Sequence, residues 1–182
     1  MLTVNKLLPR GQGLAGPLLQ RAASVELDWD VRQKSRFAAT DSQGRALAVF
    51  LPHGQAVRGG DVLVAEDGSM VRVIAAPQPV LVITHCKNHG TPFDLTRAAY
   101  HLGNRHVPVQ VGEGWLRLAE DSVLHAMLDQ LGVSVQALNA PFQPESGAYG
   151  GGHHHSHGKD SVFQYAPRLH QFRRDGSPDD SA

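Results

Sequence analysis

Residues 80–138, VLVITHCKNHGTPFDLTRAAYHLGNRHVPVQVGEGWLRLAEDSVLHAMLDQLGVSVQAL, switch repeatedly between strand-like and helix-like hydrophobic periods. That switching decides the fold. Val80-Leu81-Val82-Ile83 is a continuous apolar run of the kind a buried strand carries. Thr91-Pro92-Phe93-Asp94 has the chemistry of a helix start, with Thr as cap, Pro at the first helical position and Asp at the third. The helix is predicted to run to about Leu102, because Leu95, Ala98, Ala99 and Leu102 fall on one face; Gly103 is the expected stop. Val107–Val111 and Trp115–Leu118 read as strands about the turn Gly112-Glu113-Gly114. A second helix is predicted from about Asp121 to Leu131, with Val123, Leu124, Met127, Leu128 and Leu131 as its apolar stripe. Gly132 ends it and Val133–Leu138 returns as a strand. The order is β-α-β-β-α-β, the ferredoxin-like arrangement.

Working outward toward the N-terminus, the pattern becomes all strand. Arg36–Thr40 and Arg45–Phe50 flank Asp41-Ser42-Gln43-Gly44, and Val62–Ala65 and Met70–Ile74 flank Glu66-Asp67-Gly68-Ser69. Two hairpins at short spacing predict a small β-barrel or sandwich. Ala75-Ala76-Pro77-Gln78-Pro79 reads as an extended boundary segment. Beyond Pro141 the chain turns polar and glycine-rich, and Gly147–Gly152 cannot pack a core. Some apolar content returns at Val162, Phe163, Tyr165, Leu169 and Phe172, around His170. The predicted class is therefore α+β: a β-rich domain over 1–76, a ferredoxin-like domain over 77–142, and a flexible histidine-containing tail over 143–182.

Composition narrows the function. Lys plus Arg and Asp plus Glu are both 17, and zero formal charge argues against a nucleic-acid partner. A single cysteine, Cys86, excludes an intramolecular disulfide framework and paired-cysteine zinc spacing. The N-terminus MLTVNKLLPRGQG lacks the apolar run of a signal peptide, and no stretch approaches the roughly 18 apolar residues of a membrane span. A cytosolic protein with no membrane association is the expectation.

The anomaly is histidine, at 11 residues, four of them between His153 and His157. In Gly151-Gly152-His153-His154-His155-Ser156-His157-Gly158, closely spaced imidazoles on a glycine-rich chain can offer several nitrogens to one Ni, Zn or Cu ion. No carboxylates crowd the cluster, which disfavours Ca and Mg. The bland alternative is an expression tag or solvated tail, but tags sit at a terminus and 25 residues follow this cluster. His106 stands where the first predicted helix turns into a strand, and its residue type leaves it between a ligand and a structural turn residue. His101 shares a polar helix face with Asp94, Arg97 and Arg105 and reads as a surface hydrogen-bonding residue. His85-Cys86-Lys87-Asn88-His89 is a weaker soft-metal candidate, read first as a loop with a thiol. No phosphate-binding glycine loop and no acid/base pair stands out.

The string Tyr100-His101-Leu102-Gly103-Asn104-Arg105-His106 closely resembles the Gly-Asn-Arg-His motif of the UreE urease accessory family. Asp121-Ser122-Val123-Leu124, Met127-Leu128 and Pro141–Tyr149 are also similar to that family, and the resemblance covers about residues 1–157. It implies a cytoplasmic nickel metallochaperone without catalysis of its own, carrying Ni(II) as cargo, with Zn(II) or Cu(II) also able to bind. It further implies a peptide-binding-like N-terminal domain and a homodimer formed through the ferredoxin-like domain. His106 matches the histidine through which two protomers share one nickel, and His153, His154, His155 and His157 match tail ligands. The implied partners are a urease accessory GTPase and the urease apoprotein assembly complex. This chain departs from some members in having no histidine between Leu118 and Ser122, which implies fewer ions per dimer. A general Ni/Zn buffer using the same histidines is the competing reading. A metallohydrolase fares worse, since no ligand triplet or general base is apparent.

Overall fold

The computed structural model describes residues 1–146. The first sheet has six strands: β1 (Leu2–Leu8), β2 (Ala23–Leu27), β3 (Arg36–Thr40), β4 (Ala46–Phe50), β5 (Val62–Ala65) and β6 (Met70–Ala75). Short helices α1 (Gly16–Arg21) and α2 (Trp29–Arg32) flank β2. The spatial order is β2-β6-β5-β1-β4-β3; β1 and β4 are parallel, as are β2 and β6. The sheet rolls until its edges nearly meet. At the β3–β4 turn the Ser42 N–H donates to the Ser24 carbonyl of β2 at 2.7 Å, and the Ser24 N–H donates to Ser42 Oγ at 3.0 Å. Rolling leaves little open strand edge.

Alternation explains what fills the roll. Val4, Val25, Leu47, Val49, Leu63, Val71 and Val73 point inward and are at most 2% exposed. Burial of each such side chain contributes about 1.5–3 kcal/mol, and β-branched valine suits the pleated surface. The predicted β3–β4 hairpin is present, with all five strand pairs in register from Arg36↔Phe50 to Thr40↔Ala46. Its turn is organised by Asp41, whose Oδ1 accepts from the Gln43 and Arg45 N–H groups at 2.9 Å and whose Oδ2 accepts from Arg45 Nε at 2.8 Å. Burial would raise the Asp41 pKa, but these donors outweigh it and hold the carboxyl below its usual range.

The second sheet comprises β7 (Pro77–His85), β8 (Gln110–Gly112), β9 (Trp115–Ala119) and β10 (Val133–Pro141), all antiparallel, in the order β10-β7-β9-β8. With α3 (Pro92–Asn104) and α4 (Ser122–Gln130) this is the predicted ferredoxin-like unit. Leu95, Ala98, Ala99 and Leu102 of α3 and Leu124, Met127 and Leu128 of α4 pack on Leu81, Ile83, Leu116 and Leu118. The Thr91 N–H donates to Asp94 Oδ2 at 2.8 Å at the start of α3, and Asp121 Oδ1 accepts from the Leu124 N–H at 2.8 Å at the start of α4.

Four local expectations are corrected. The prolines at 77 and 79 lie within β7 and not in a linker; β9 registers only with Val80–Ile83, and on that side Pro79 acts as acceptor alone, its carbonyl taking the Glu120 N–H at 3.1 Å, so neither proline has to supply an N–H. Helix α3 runs through Gly103 to Asn104. Val107–Val109 are outside the sheet, because the Val107 N–H is committed to the Leu102 carbonyl and Pro108 has no N–H to give. Val123 is 75% exposed and not part of the buried stripe formed by Leu124, Met127, Leu128 and Leu131.

Only Ala76 separates the two sheets, yet they are firmly joined. Arg32 is fully buried; its Nε donates to the Leu27 carbonyl at 2.9 Å and its Nη2 to the Phe142 carbonyl. Trp29 meets the buried Phe142 ring edge-on at 6.2 Å, and the Trp29 N–H donates to Gln78 Oε1 at 2.8 Å. Gln143 Oε1 accepts from the Gly59 N–H at 2.8 Å, while its own N–H donates to Gln110 Oε1 at 3.0 Å.

Candidate metal centre

His106 is presented by the way α3 ends. The His106 N–H donates to the Gly103 carbonyl at 2.9 Å and the Val107 N–H to the Leu102 carbonyl at 3.2 Å. This crossed pair is the Schellman termination, with Arg105 as C-cap and His106 in the position that must turn left-handed. His106 has φ +54°, where glycine is the usual occupant. The sequence suggests Gly103 or Asn104 for that turn; both are helical, and the strained residue is the histidine itself. A left-handed non-glycine residue costs about 1–2 kcal/mol, so the arrangement sacrifices stability to project an imidazole. The side chain is exposed, and Pro108 ensures that the helix does not resume.

The surroundings suit a cation. His106 lies just past the C-terminus of α3, where free carbonyls give the helix its negative end. It also lines a cleft of about 380 Å³ between the two sheets' units. Trp29, Asp30 and Gln33 form one wall, and Arg105, Glu120 and Asp121 belong to the other. Three carboxylates against one guanidinium make the cleft acidic. Trp29, Asp30 and Gln33 could not be assigned from sequence, since they lie more than 70 positions from His106 and carry no motif.

His106 is the one histidine that lines this cleft. Among the described residues no group of three or more His, Cys, Asp or Glu side chains is arranged to hold a metal ion. His101 is half-buried and meets the Tyr100 ring edge-on at 5.5 Å, away from a ligand role. Cys86 Sγ lies 3.1 Å from His89 Nδ1. The N–H groups of Asn88 and His89 hold the Cys86 thiol below its usual range, against the opposing effect of partial burial. His85 does not complete a three-ligand group with them. His153, His154, His155 and His157 lie outside the described residues. Among the described residues no helix is long and apolar enough to cross a membrane.

The fold and this turn define a two-domain α+β protein that offers one imidazole per chain at a strained, exposed helix terminus. Residues 4–76 match the N-terminal domain of the UreE urease accessory protein, and residues 78–171 match its C-terminal domain. The chain is 62% identical over 168 residues to the urease accessory protein UreE of Albidiferax ferrireducens, covering 92% of this chain and 97% of that one. It is 69% identical over 154 residues to the protein of the same name from Paracidovorax citrulli, covering 85% and 73%. With that of Pseudomonas fluorescens it shares 55% identity over 152 residues, covering 83% and 89%. The chain belongs to the UreE urease accessory protein family.

Proposed function

We propose that this protein is a cytoplasmic metallochaperone that carries Ni(II) to the urease assembly machinery and performs no catalysis itself. The observation that carries the reading is His106, an exposed imidazole kept at a backbone position that glycine would fill at lower cost. One imidazole cannot hold an ion tightly. A homodimer supplies a second by two-fold symmetry, and His153, His154, His155 and His157 supply further nitrogens. Phe93 and Tyr100, seven residues apart on α3 and 67% and 65% exposed, are the apolar surface proposed for that dimer, and His106 ends the same helix. A site completed only by association and by added ligands is one that can release its cargo. Zn(II) and Cu(II) compete for the same nitrogens in vitro, so affinity alone does not separate a chaperone from a metal buffer. The proposed recipients are a urease accessory GTPase and the urease apoprotein complex.

Calorimetric titration of wild type and His106→Ala with Ni(II) tests the ligand. One tight ion per dimer is expected, lost in the variant; unchanged tight binding overturns the assignment. Loss of urease activation in a deletion strain, restored by excess nickel, separates delivery from buffering.

A further inference from the structure

Helix α4 carries a pair of side chains that the reading of His106 leaves unused. Asp121, His125 and Asp129 recur at every fourth position, so one face of the helix presents carboxylate, imidazole and carboxylate in turn. Asp121 is the cap of α4, and its carbonyl accepts the His125 N–H at 2.9 Å. It also lines the cleft that holds His106. One turn further on, His125 Nε2 faces Asp129 Oδ2 at 3.9 Å, the one such histidine–carboxylate pair among the described residues.

At 3.9 Å the two atoms are too far apart for a hydrogen bond. A divalent ion such as zinc binds imidazole nitrogen at about 2.0–2.1 Å and carboxylate oxygen at about 2.0–2.2 Å, so its two bonds bridge a gap of this size after a small rotamer change. The two side chains are 40% and 62% exposed, and an ion reaches them with no opening of the fold. Asp129 is the penultimate residue of α4, where unpaired carbonyls give the helix its negative end. A carboxylate there stands against the helix dipole, and α4 has no lysine or arginine to offset it. The local potential therefore favours a cation. Imidazole selects Ni, Cu or Zn over Mg and Ca. Two protein ligands are fewer than the three or four of a tight site, so water completes the shell and the ion exchanges readily.

We propose that His125 and Asp129 form a second, weaker divalent-metal site on α4, one helical turn beyond Asp121 of the His106 cleft, that takes Ni, Cu or Zn. The site needs neither a second protomer nor the tail, and it stands or falls apart from the nickel reading of His106. The probe is Cu(II), followed by paramagnetic line broadening in residue-resolved NMR of the full chain. The parent for the test carries His106→Ala, His153→Ala, His154→Ala, His155→Ala and His157→Ala, so that the ligands proposed above cannot capture the copper. Broadening centred on His125 and Asp129 is expected at a copper concentration that spares His53, an exposed histidine with no carboxylate partner among the described residues. His125→Asn abolishes it. Asp129→Asn raises the copper required about tenfold, because the second ligand binds as an intramolecular event. Asp129→His, which keeps two ligands at the same spacing, restores the sensitivity. Unchanged amide shifts in the rest of the protein show that each variant keeps the fold. Absence of broadening on α4 overturns the proposal. So does equal broadening at His53, or an Asp129→Asn variant as sensitive as its parent, since either marks a lone surface imidazole.

Discussion

The backbone N–H of His106 donates to the carbonyl of Gly103 at 2.9 Å, and this bond closes a helix end on an imidazole-bearing residue at φ +54°. Replacing His106 with glycine removes the left-handed penalty but adds chain entropy to the unfolded state. The net expectation for His106→Gly is a gain of up to about 1 kcal/mol in stability. His106→Ala, still left-handed, gains nothing. Both are expected to lose the tight Ni(II) binding proposed for this residue. Thermal unfolding and calorimetry on the two variants would separate the cost of the turn from the value of its side chain; a destabilised glycine variant would contradict the strain argument.

Phe93 and Tyr100 expose large apolar surfaces on one side of α3, two turns apart. Charging that side by Tyr100→Asp is expected to shift the protein to monomer in sedimentation while leaving its circular dichroism intact, because Tyr100 makes no core contact. Tight nickel binding should fall with dimerisation. A Tyr100→Asp dimer of wild-type stability would place the interface elsewhere.

Arg32 joins the two sheets through buried hydrogen bonds to the carbonyls of Leu27 and Phe142. Arg32→Ala strands both acceptors and opens a void. Two charge-assisted bonds at about 1.5–3 kcal/mol each make a loss of about 3 kcal/mol or more the expectation in urea denaturation. Arg32→Met, which restores volume without donors, should recover part of it. Wild-type stability in both would mean that the buried guanidinium has no structural role.

Asp94 ties down the start of α3. The Thr91 N–H holds its carboxyl below the usual range, against partial burial, with Arg97 and His85 adding to the depression. A depressed folded pKa means the contribution is fully present above the unfolded carboxyl value of about 3.9. It is lost as pH falls through the lower folded value. Protection of the amides at the first turn of α3, their exchange rate relative to an unstructured chain at the same pH, should therefore fall in acid below about pH 4, and Asp94→Ala should show low protection already at neutral pH. Protection in the wild type that stays constant over that window would rule out the linkage.

Much of the fold was legible because it is written locally. The hairpin at Asp41–Gly44, the α3 start at Thr91–Asp94 and the β-α-β-β-α-β order each follow from side chains a few positions apart, and all appear in the structure. Strands β1 and β2 were not legible. Their parallel partners, β4 and β6, lie over 40 positions away, and no turn signal marks a non-local pairing. The end of α3 was misread for a related reason. Glycine content points to Gly103, whereas the left-handed residue is set by which amides reach the Leu102 and Gly103 carbonyls.

By itself the sequence determined the order of elements in the second sheet and its helices, the likeness to the UreE family and the choice of His106 as the residue to watch. Those features depend on residue type and spacing, which the chain carries unfolded. Only the tertiary structure decided that His106 is itself the strained residue, that Trp29 and Asp30 share its cleft, and that Asp61 ties together the backbones of Arg10 and Arg58. Those features depend on distances closed by packing between residues far apart in sequence. No local period or propensity encodes such distances; burial and hydrogen-bond closure of the whole chain set them.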